Sequence, residues 1–200
     1  LLAADAGALA LFAVADTIKP SSKQAVAELQ AMGITPVMLT GDNRRTAERI
    51  AREAGVSSFE AELLPQDKAQ RITALKAEGR VVGMIGDGVN DAPALAAAQV
   101  SFAIGAGSDV AIHAADVTLM RSDLLSAVDA VSLSRATFRK IKQNLFFAFI
   151  YNALGIPLAA AGLLNPVIAG AAMAMSSVSV VSNSLLLKRW KPLKEVMGHE

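Results

Sequence analysis

The sequence predicts an α/β domain built on a parallel sheet, followed by a pair of transmembrane helices. Three observations carry this prediction. Short, continuous apolar runs alternate with helical patterns between residues 8 and 120. Two of those runs end in an aspartate within a glycine turn, "TGD" at Asp42 and "GDG" at Asp87. The third is the distribution of charge. The 200-residue chain is 18% charged with a net charge of +1, yet residues 143–187 form a block of 45 positions without one charge. A soluble domain of average composition does not leave so long a gap.

Residues 8–15 and the runs "TPVMLTGD" (35–42), "RVVGMIGDG" (80–88), "VSFAIG" (100–105) and "DVTLM" (116–120) are rich in Val, Ile, Leu and Met, the pattern of strands buried on both faces. Between them, "SKQAVAELQAM" sets Val26, Leu29 and Met32 on one helical side and stops at Gly33. "NRRTAERIAREA" gathers Ala47, Ile50, Ala51 and Ala54 and stops at Gly55. "PQDKAQRITALKAE" opens on Pro65, aligns Ile72 and Leu75 and stops at Gly79. "GSDVAIHAADV" predicts a short helix in which His113 is a surface or packing residue rather than a metal ligand. Strands alternating with helices imply a parallel sheet covered on both faces, with ligands bound where strands give way to loops.

From about Leu124 a long helix is expected. Its 124–142 segment gathers Arg135, Arg139, Lys140 and Lys142, with no acid after Asp129. A membrane helix needs roughly 20 apolar residues, so the uncharged block has room for two. "LNP", Leu164 to Pro166, is the expected turn between them. Beyond the block, Lys188, Arg189, Lys191 and Lys194 surround Trp190, which fits an interfacial anchor. Basic residues at both outer ends and none in the turn place residues 1–142 and the tail on the cytoplasmic side. The alternative is a buried helical hairpin in a large soluble protein.

Composition excludes several classes. With no cysteine there is neither a disulfide nor a thiolate metal site. An aromatic share of 4% and no basic excess give no nucleic-acid signal. The opening "LLAADAGALALFAVAD" lacks the basic start of a signal peptide and an initiating methionine, so a piece of a longer protein is expected.

Phosphoryl transfer works with Mg²⁺, which takes one or two carboxylates and keeps several waters. Asp87 at a strand end fits that need, and Gly86 and Gly88 let the backbone turn sharply. Asn90 and Asp91 can bond within the loop or to the metal's waters. Thr40 and Gly41 end a second strand, where a hydroxyl and backbone N–H groups can hold phosphate oxygens. Lys68 can offset charge on a transferring phosphoryl group. Each feature is weak alone. The order TGD, then P-x-x-K, then GDGxND, across an α/β pattern, is far more specific.

In "MLTGDN" (38–43), "PQDK" (65–68) and "GDGVNDAPAL" (86–95) the chain resembles the C-terminal part of a P-type ATPase, whose phosphorylation domain has a haloacid dehalogenase-like, Rossmann-type fold. The resemblance implies that Thr40 and Gly41 contact the phosphoryl group and that Asp42 supports their loop. It implies that Lys68 lies by the phosphate, that Asp87 binds Mg²⁺ and that Asn90 and Asp91 complete the site. Residues 1–15 would be closing strands of the nucleotide-binding domain, with Asp16 at the hinge into a phosphorylation domain over 16–123. The family's nucleophile is an aspartate in DKTGT, and its dephosphorylating loop carries TGE; neither motif occurs in this chain. Aspartyl-phosphate chemistry cannot begin without its aspartate, so the chain alone is expected to be inactive toward ATP.

Polar groups within a bilayer are functional suspects. Asn144, Tyr151, Asn152 and Pro157 interrupt the first apolar helix, and Met173, Met175, Ser176, Ser177, Ser179, Ser182 and Asn183 mark the second. Ser179 and Ser182 are read as packing residues. Thioethers favour Cu(I) over harder divalent ions, and neither span carries Asp, Glu, Lys or His. The spacings N-x6-Y-N-x4-P and M-x2-S-S-x5-N are similar to the last two membrane helices of copper(I)-exporting P-type ATPases. The resemblance assigns Tyr151, Asn152, Met173 and Ser177 to transport sites for Cu⁺, with Ag⁺ left open. It also implies, as partners, membrane lipid, the remaining domains of the same pump and a copper donor protein. The family's Cys-Pro-Cys motif is missing. Two other readings remain, a membrane-tethered phosphatase and a non-catalytic fragment that docks on an intact pump. The first needs an early D-x-D nucleophile, a setting that Asp5 and Asp16 lack.

Overall fold

A computed structural model of the chain describes residues 2–4, 7–10, 18–105, 109–163 and 165–193. The chain forms two compact units, Leu1–Leu124 and Leu125–Glu200.

In the first unit, β1 (Leu2–Ala4) and β2 (Gly7–Ala10) make an antiparallel hairpin. The expected strand residues 11–15, the hinge residue Asp16 and the early Asp5 lie outside the described residues. Five further strands pair in parallel, β3 (Val37–Leu39) with β4 (Ser58–Glu60), and β5 (Gly83–Gly86), β6 (Val100–Ile104) and β7 (Val117–Leu119) in that order. Helix α1 (Pro20–Ala31) buries Ala25, Val26 and Leu29. Helix α2 (Arg44–Ala54) buries Ala47, Ala51 and Ala54 and ends at Gly55, whose φ of 77° is left-handed. Helix α3 (Pro65–Ala77) buries Ile72, and the Asp67 carboxylate accepts from the Leu64 N–H at 2.9 Å, satisfying one donor at the helix start. A 3₁₀ turn over Val89–Asp91 leads into α4 (Ala92–Ala97), and α5 (Asp109–Ala114) precedes β7. Ile72, Ala94, Leu95, Ala103 and Ala111 are fully buried, so the core is made largely of small residues. His113 is exposed.

The start of β6 is tied to the chain before β7. Asp116 accepts from the Ser101 hydroxyl at 2.8 Å and the Ser101 N–H at 2.9 Å, and its own N–H donates to Ser101 Oγ at 3.0 Å. The Ser101 hydroxyl first, and its N–H second, hold the Asp116 carboxyl below its ordinary value. The folded chain therefore takes up this proton less readily than the unfolded chain. The stabilisation is complete above the ordinary carboxylate pKa and is lost as pH falls through the lower folded value. Asp116→Asn is expected to lower the melting temperature at pH 7, and the gap from the parent should close at pH 2–3. A gap that persists unchanged in acid would show that the charge contributes nothing.

In the second unit, α6 runs unbroken from Leu125 to Ala160, 36 residues, so the expected basic segment and first apolar segment form one helix. At 1.5 Å per residue it is about 54 Å long, well beyond a hydrocarbon core of about 30 Å. It ends at Gly162, with φ 68°. Asn165 then caps α7 (Pro166–Leu185) by accepting from the Val167 N–H at 2.9 Å, and Pro166 fills the first turn. Leu164 of the expected turn lies outside the described residues. A 3₁₀ turn, Leu186–Arg189, follows. Both helices are long and apolar enough to cross a membrane by length and composition. Their partly buried positions recur at heptad-like intervals, Lys140, Asn144, Phe147 and Tyr151 on α6 and Ala169, Ala172, Ser176, Ser179 and Asn183 on α7. Small residues on α7 allow this close approach. Trp190, expected at the interface, donates its indole N–H to Ser132 Oγ at 3.3 Å. Ser132 lies ten residues before Lys142, about 15 Å along the helix. The Leu193 N–H likewise donates to Asp129 at 2.9 Å. The tail residues Lys194 and His199 lie outside the described residues.

Candidate functional site

The loop after β3 is built by side chains folding onto their own backbone. Thr40 Oγ1 donates to Asp42 Oδ2 at 2.9 Å and accepts from the Asp42 N–H at 3.1 Å. Asn43 Oδ1 accepts from the Thr46 N–H at 2.9 Å and caps α2. The Thr40 carbonyl accepts from the Leu63 N–H and the Asp42 carbonyl from the Glu62 N–H, so the segment after β4 closes against the loop. A Cβ at Gly41 would stand 3.3 Å from the Leu63 carbonyl oxygen, which accounts for glycine there. Asp42 thus supports the Thr40 hydroxyl by a direct hydrogen bond.

Two residues from distant elements meet behind the next strand end. Lys68 Nζ on α3 donates to Asp91 Oδ1 at 2.9 Å, and the two side chains are only 14% and 15% exposed. Asp91 is pressed onto the backbone of β5. A Cβ at Gly86 would lie 2.7 Å from Asp91 Cβ and 3.0 Å from its Oδ2, so only glycine admits the aspartate. The Asp91 N–H closes the turn on the Gly88 carbonyl at 3.0 Å. Asp87, one residue beyond β5, is exposed and makes no hydrogen bond or ion pair among the described residues, and Asn90 is likewise exposed. A rigid cation–carboxylate pair beside an unengaged carboxylate suits chemistry in which negative charge and a hard cation are handled together.

The polar groups of the second unit divide into two sets. At one end of the hairpin, Lys140 Nζ donates to Asn183 Oδ1, Asn183 Nδ2 to Asn144 Oδ1 and Asn144 Nδ2 to Ser184 Oγ, each at 2.8 Å. This chain of bonds was not foreseen, although Lys140 and Asn144 stand one helical turn apart in the sequence. Further along, Tyr151 faces the seam, its hydroxyl 3.4 Å from Ser179 Oγ. Asn152, Met173 and Ser177 lie instead on exposed helix surfaces, Met173 being 73% exposed. Asn152 Nδ2 donates to the Ala148 carbonyl and Ser177 Oγ to the Met173 carbonyl. Met173 and Ser177, four apart, share one face of α7. No hydrogen bond joins Tyr151 or Asn152 to Met173 or Ser177 among the described residues, so the hairpin alone does not assemble the four.

Comparison with known proteins accords with this geometry. The haloacid dehalogenase-like hydrolase family matches residues 2–99. A "Copper-exporting P-type ATPase" of Bacillus subtilis is 57% identical over 191 residues, covering 96% of this chain and 24% of that protein. A "Probable copper-importing P-type ATPase A" of Enterococcus hirae is 54% identical over 190 residues, covering 94% of this chain and 26% of that protein. The crystal structure of a zinc-transporting PIB-type ATPase in its E2·Pi state superposes with a TM-score of 0.79 at 38% identity, over 86% of this chain and 28% of that one. The chain thus spans about a quarter of the length of the curated relatives it matches. With a parallel α/β unit that brings Lys68 and Asp91 together, an apolar helical hairpin, and this identity over nearly its whole length, the chain belongs to the P-type ATPases.

Proposed function

We propose that the chain is the C-terminal portion of an ATP-driven copper(I) exporter that works through an aspartyl-phosphate intermediate. The observation that supports this most is the Lys68–Asp91 pair, seated over Gly86 beside the unengaged Asp87 carboxylate. Thr40 and Gly41 would hold phosphoryl oxygens, with Asp42 fixing the Thr40 hydroxyl. Lys68 would offset phosphoryl charge, Asp91 would hold Lys68 in place, and Asn90 would hydrogen-bond in the loop. Mg²⁺ needs few protein ligands; Asp87, with the second oxygen of Asp91, would hold it. When bound it would neutralise charge on the phosphoryl group of ATP.

The nucleophilic aspartate would come from a part of the pump outside this chain, so the 200 residues alone should form no phosphoenzyme. In this reading 1–15 close the nucleotide-binding domain, 16–123 belong to the phosphorylation domain, and 124–142 connect it to the transmembrane helices within 143–187. The tail over 188–200 and the phosphorylation domain would face the cytoplasm from the plasma (inner) membrane. The pump's other domains and helices, lipid and a copper donor protein would be the partners.

The ion would be bound by Tyr151, Asn152, Met173 and Ser177 together with groups from other helices. Soft sulfur and the lack of any carboxylate or imidazole within residues 143–187 favour Cu⁺ over Zn²⁺. In the full-length pump, Cu⁺ should stimulate ATP hydrolysis and Zn²⁺ should not. Met173→Ala should raise the half-stimulating Cu⁺ concentration about 10-fold or more, since even outer-shell changes at metal sites have effects of that size. Zn²⁺ stimulation unaffected by Met173→Ala would overturn the copper assignment. Copper accumulation in inside-out vesicles would mark export, and ATP-driven loss from them import.

A further inference from the structure

The clasped end of the hairpin carries a surplus of positive charge. Residues 130–194 hold eight Lys and Arg and no Asp or Glu. Three of the cations, Arg139, Lys140 and Lys142, border a cleft of about 440 Å³ whose other walls are Gln143, Phe146, Phe147 and Asn183. Lys140 is committed to Asn183 at 2.8 Å, and through Asn183 to Asn144, which makes that wall rigid. Lys142 Nζ rests 4.7 Å from the centroid of the Phe138 ring. Arg139 makes no ion pair or hydrogen bond among the described residues. Phe146, 61% exposed, and Phe147 follow within about one helical turn of Lys142, on the apolar side of the last charge.

Two cations without an ion pair among the described residues, Arg139 and Lys142, share the cleft with two phenyl rings at the point where charge stops along the helix; this matches an amphiphile with an anionic head and hydrocarbon tails. We propose that this cleft binds an anionic phospholipid, Arg139 and Lys142 holding its headgroup phosphate and Phe146 and Phe147 packing against its acyl chains. The proposal rests on the reading that α6 and α7 cross a membrane. A zwitterionic lipid also presents a phosphate, but its own cation competes with Arg139 and Lys142 for it.

The test uses the full-length protein in phosphatidylcholine vesicles containing a minor fraction of photoactivatable phosphatidylglycerol, with labelling of residues 143–149 read by mass spectrometry. Retention after carbonate extraction reports membrane insertion separately. Phosphatidylglycerol should label this segment in preference to an equally reactive phosphatidylcholine probe. Each cation is worth roughly 5-fold near a membrane surface, so Arg139→Gln with Lys142→Gln should lower labelling by about 30-fold without altering carbonate resistance. Lys188→Gln with Lys191→Gln removes the same charge elsewhere and should change labelling less than about 2-fold. Equal labelling by the two lipids, an equal loss in both double variants, or an unlabelled segment in the carbonate-resistant parent would each overturn the proposal. The last result would mean that another part of the pump fills the cleft.

Discussion

Lys68→Met in the full-length pump should lower phosphoenzyme formation from ATP by about 100- to 1000-fold, the range seen when one preorganised charge-stabilising donor is removed. Lys68 is held by Asp91 at 2.9 Å with 14% of its side chain exposed, so little reorganisation is needed for it to meet a phosphoryl group. The substitution also strands a carboxylate that is itself only 15% exposed. Breaking one side of so enclosed a pair costs about 1–3 kcal/mol of stability. The two effects separate in a double-mutant cycle. Asp91→Asn added to Lys68→Met should recover most of the lost melting temperature, because the stranded charge is gone, while phosphoryl transfer stays low. Recovery of transfer along with stability would show that phosphoryl transfer needs neither the Lys68 ammonium nor the Asp91 carboxylate.

The largest effect on stability is expected from Gly105→Ala, at the end of β6. A Cβ there would collide with the Leu119 carbonyl oxygen and stand 3.1 Å from Met120 Cα and its carbonyl oxygen. All three atoms are backbone, and Leu119 pairs with Ile104 in the β6–β7 ladder. Relief therefore requires the two strands to separate, unlike a clash with the free end of a side chain. A cost of about 3 kcal/mol or more is expected, at the upper end of overpacking. It would be read as a shifted denaturation midpoint with an unchanged slope. Gly162→Ala, strained by a φ of 68° but with no atom within 4 Å of the new Cβ, is the comparison and should cost about 1 kcal/mol. Equal effects at the two positions would show that the β6–β7 edge yields readily.

The comparison of sequence with structure turns on how far a feature extends along the chain. Helices α1, α2 and α3 were legible because a periodic apolar face, a proline or capping residue and a terminal glycine agree over eleven or more residues. Strand β4 was not, because its three residues, "SFE", offer one apolar side chain and no run. Helix α4 was hidden because its six residues, "APALAA", carry no polar side chain to mark a helical period. The continuity of α6 was obscured by the charge boundary at Lys142, which marks a change of surroundings and not of backbone. Within the site, local motifs announced Thr40, Asp42, Asp87 and Asp91 as chemically interesting. The Lys68–Asp91 bond spans 23 residues and depends on how α3 packs, which no local spacing encodes. Gly86 had a visible reason as a turn residue, whereas its need to admit the Asp91 side chain becomes visible only with the fold. The same limit applied to Lys140, which the sequence offers as one more basic flank and the structure binds to Asn183.

The placement of polar bonds along the hairpin has a mechanical consequence. Lys140, Asn144, Asn183 and Ser184 fasten one end with three bonds of 2.8 Å, whereas Tyr151 and Ser179 meet at 3.4 Å, and no interhelical hydrogen bond occurs beyond them among the described residues. The opposite end is closed by the chain itself, since only residues 161–165 separate the end of α6 at Ala160 from the start of α7 at Pro166. The pair is therefore strung like a bow, tied by hydrogen bonds at the basic end and by covalent bonds at the turn. Relative movement of the two helices is left to the stretch between, where Tyr151 and Ser179 make the longest of the interhelical bonds.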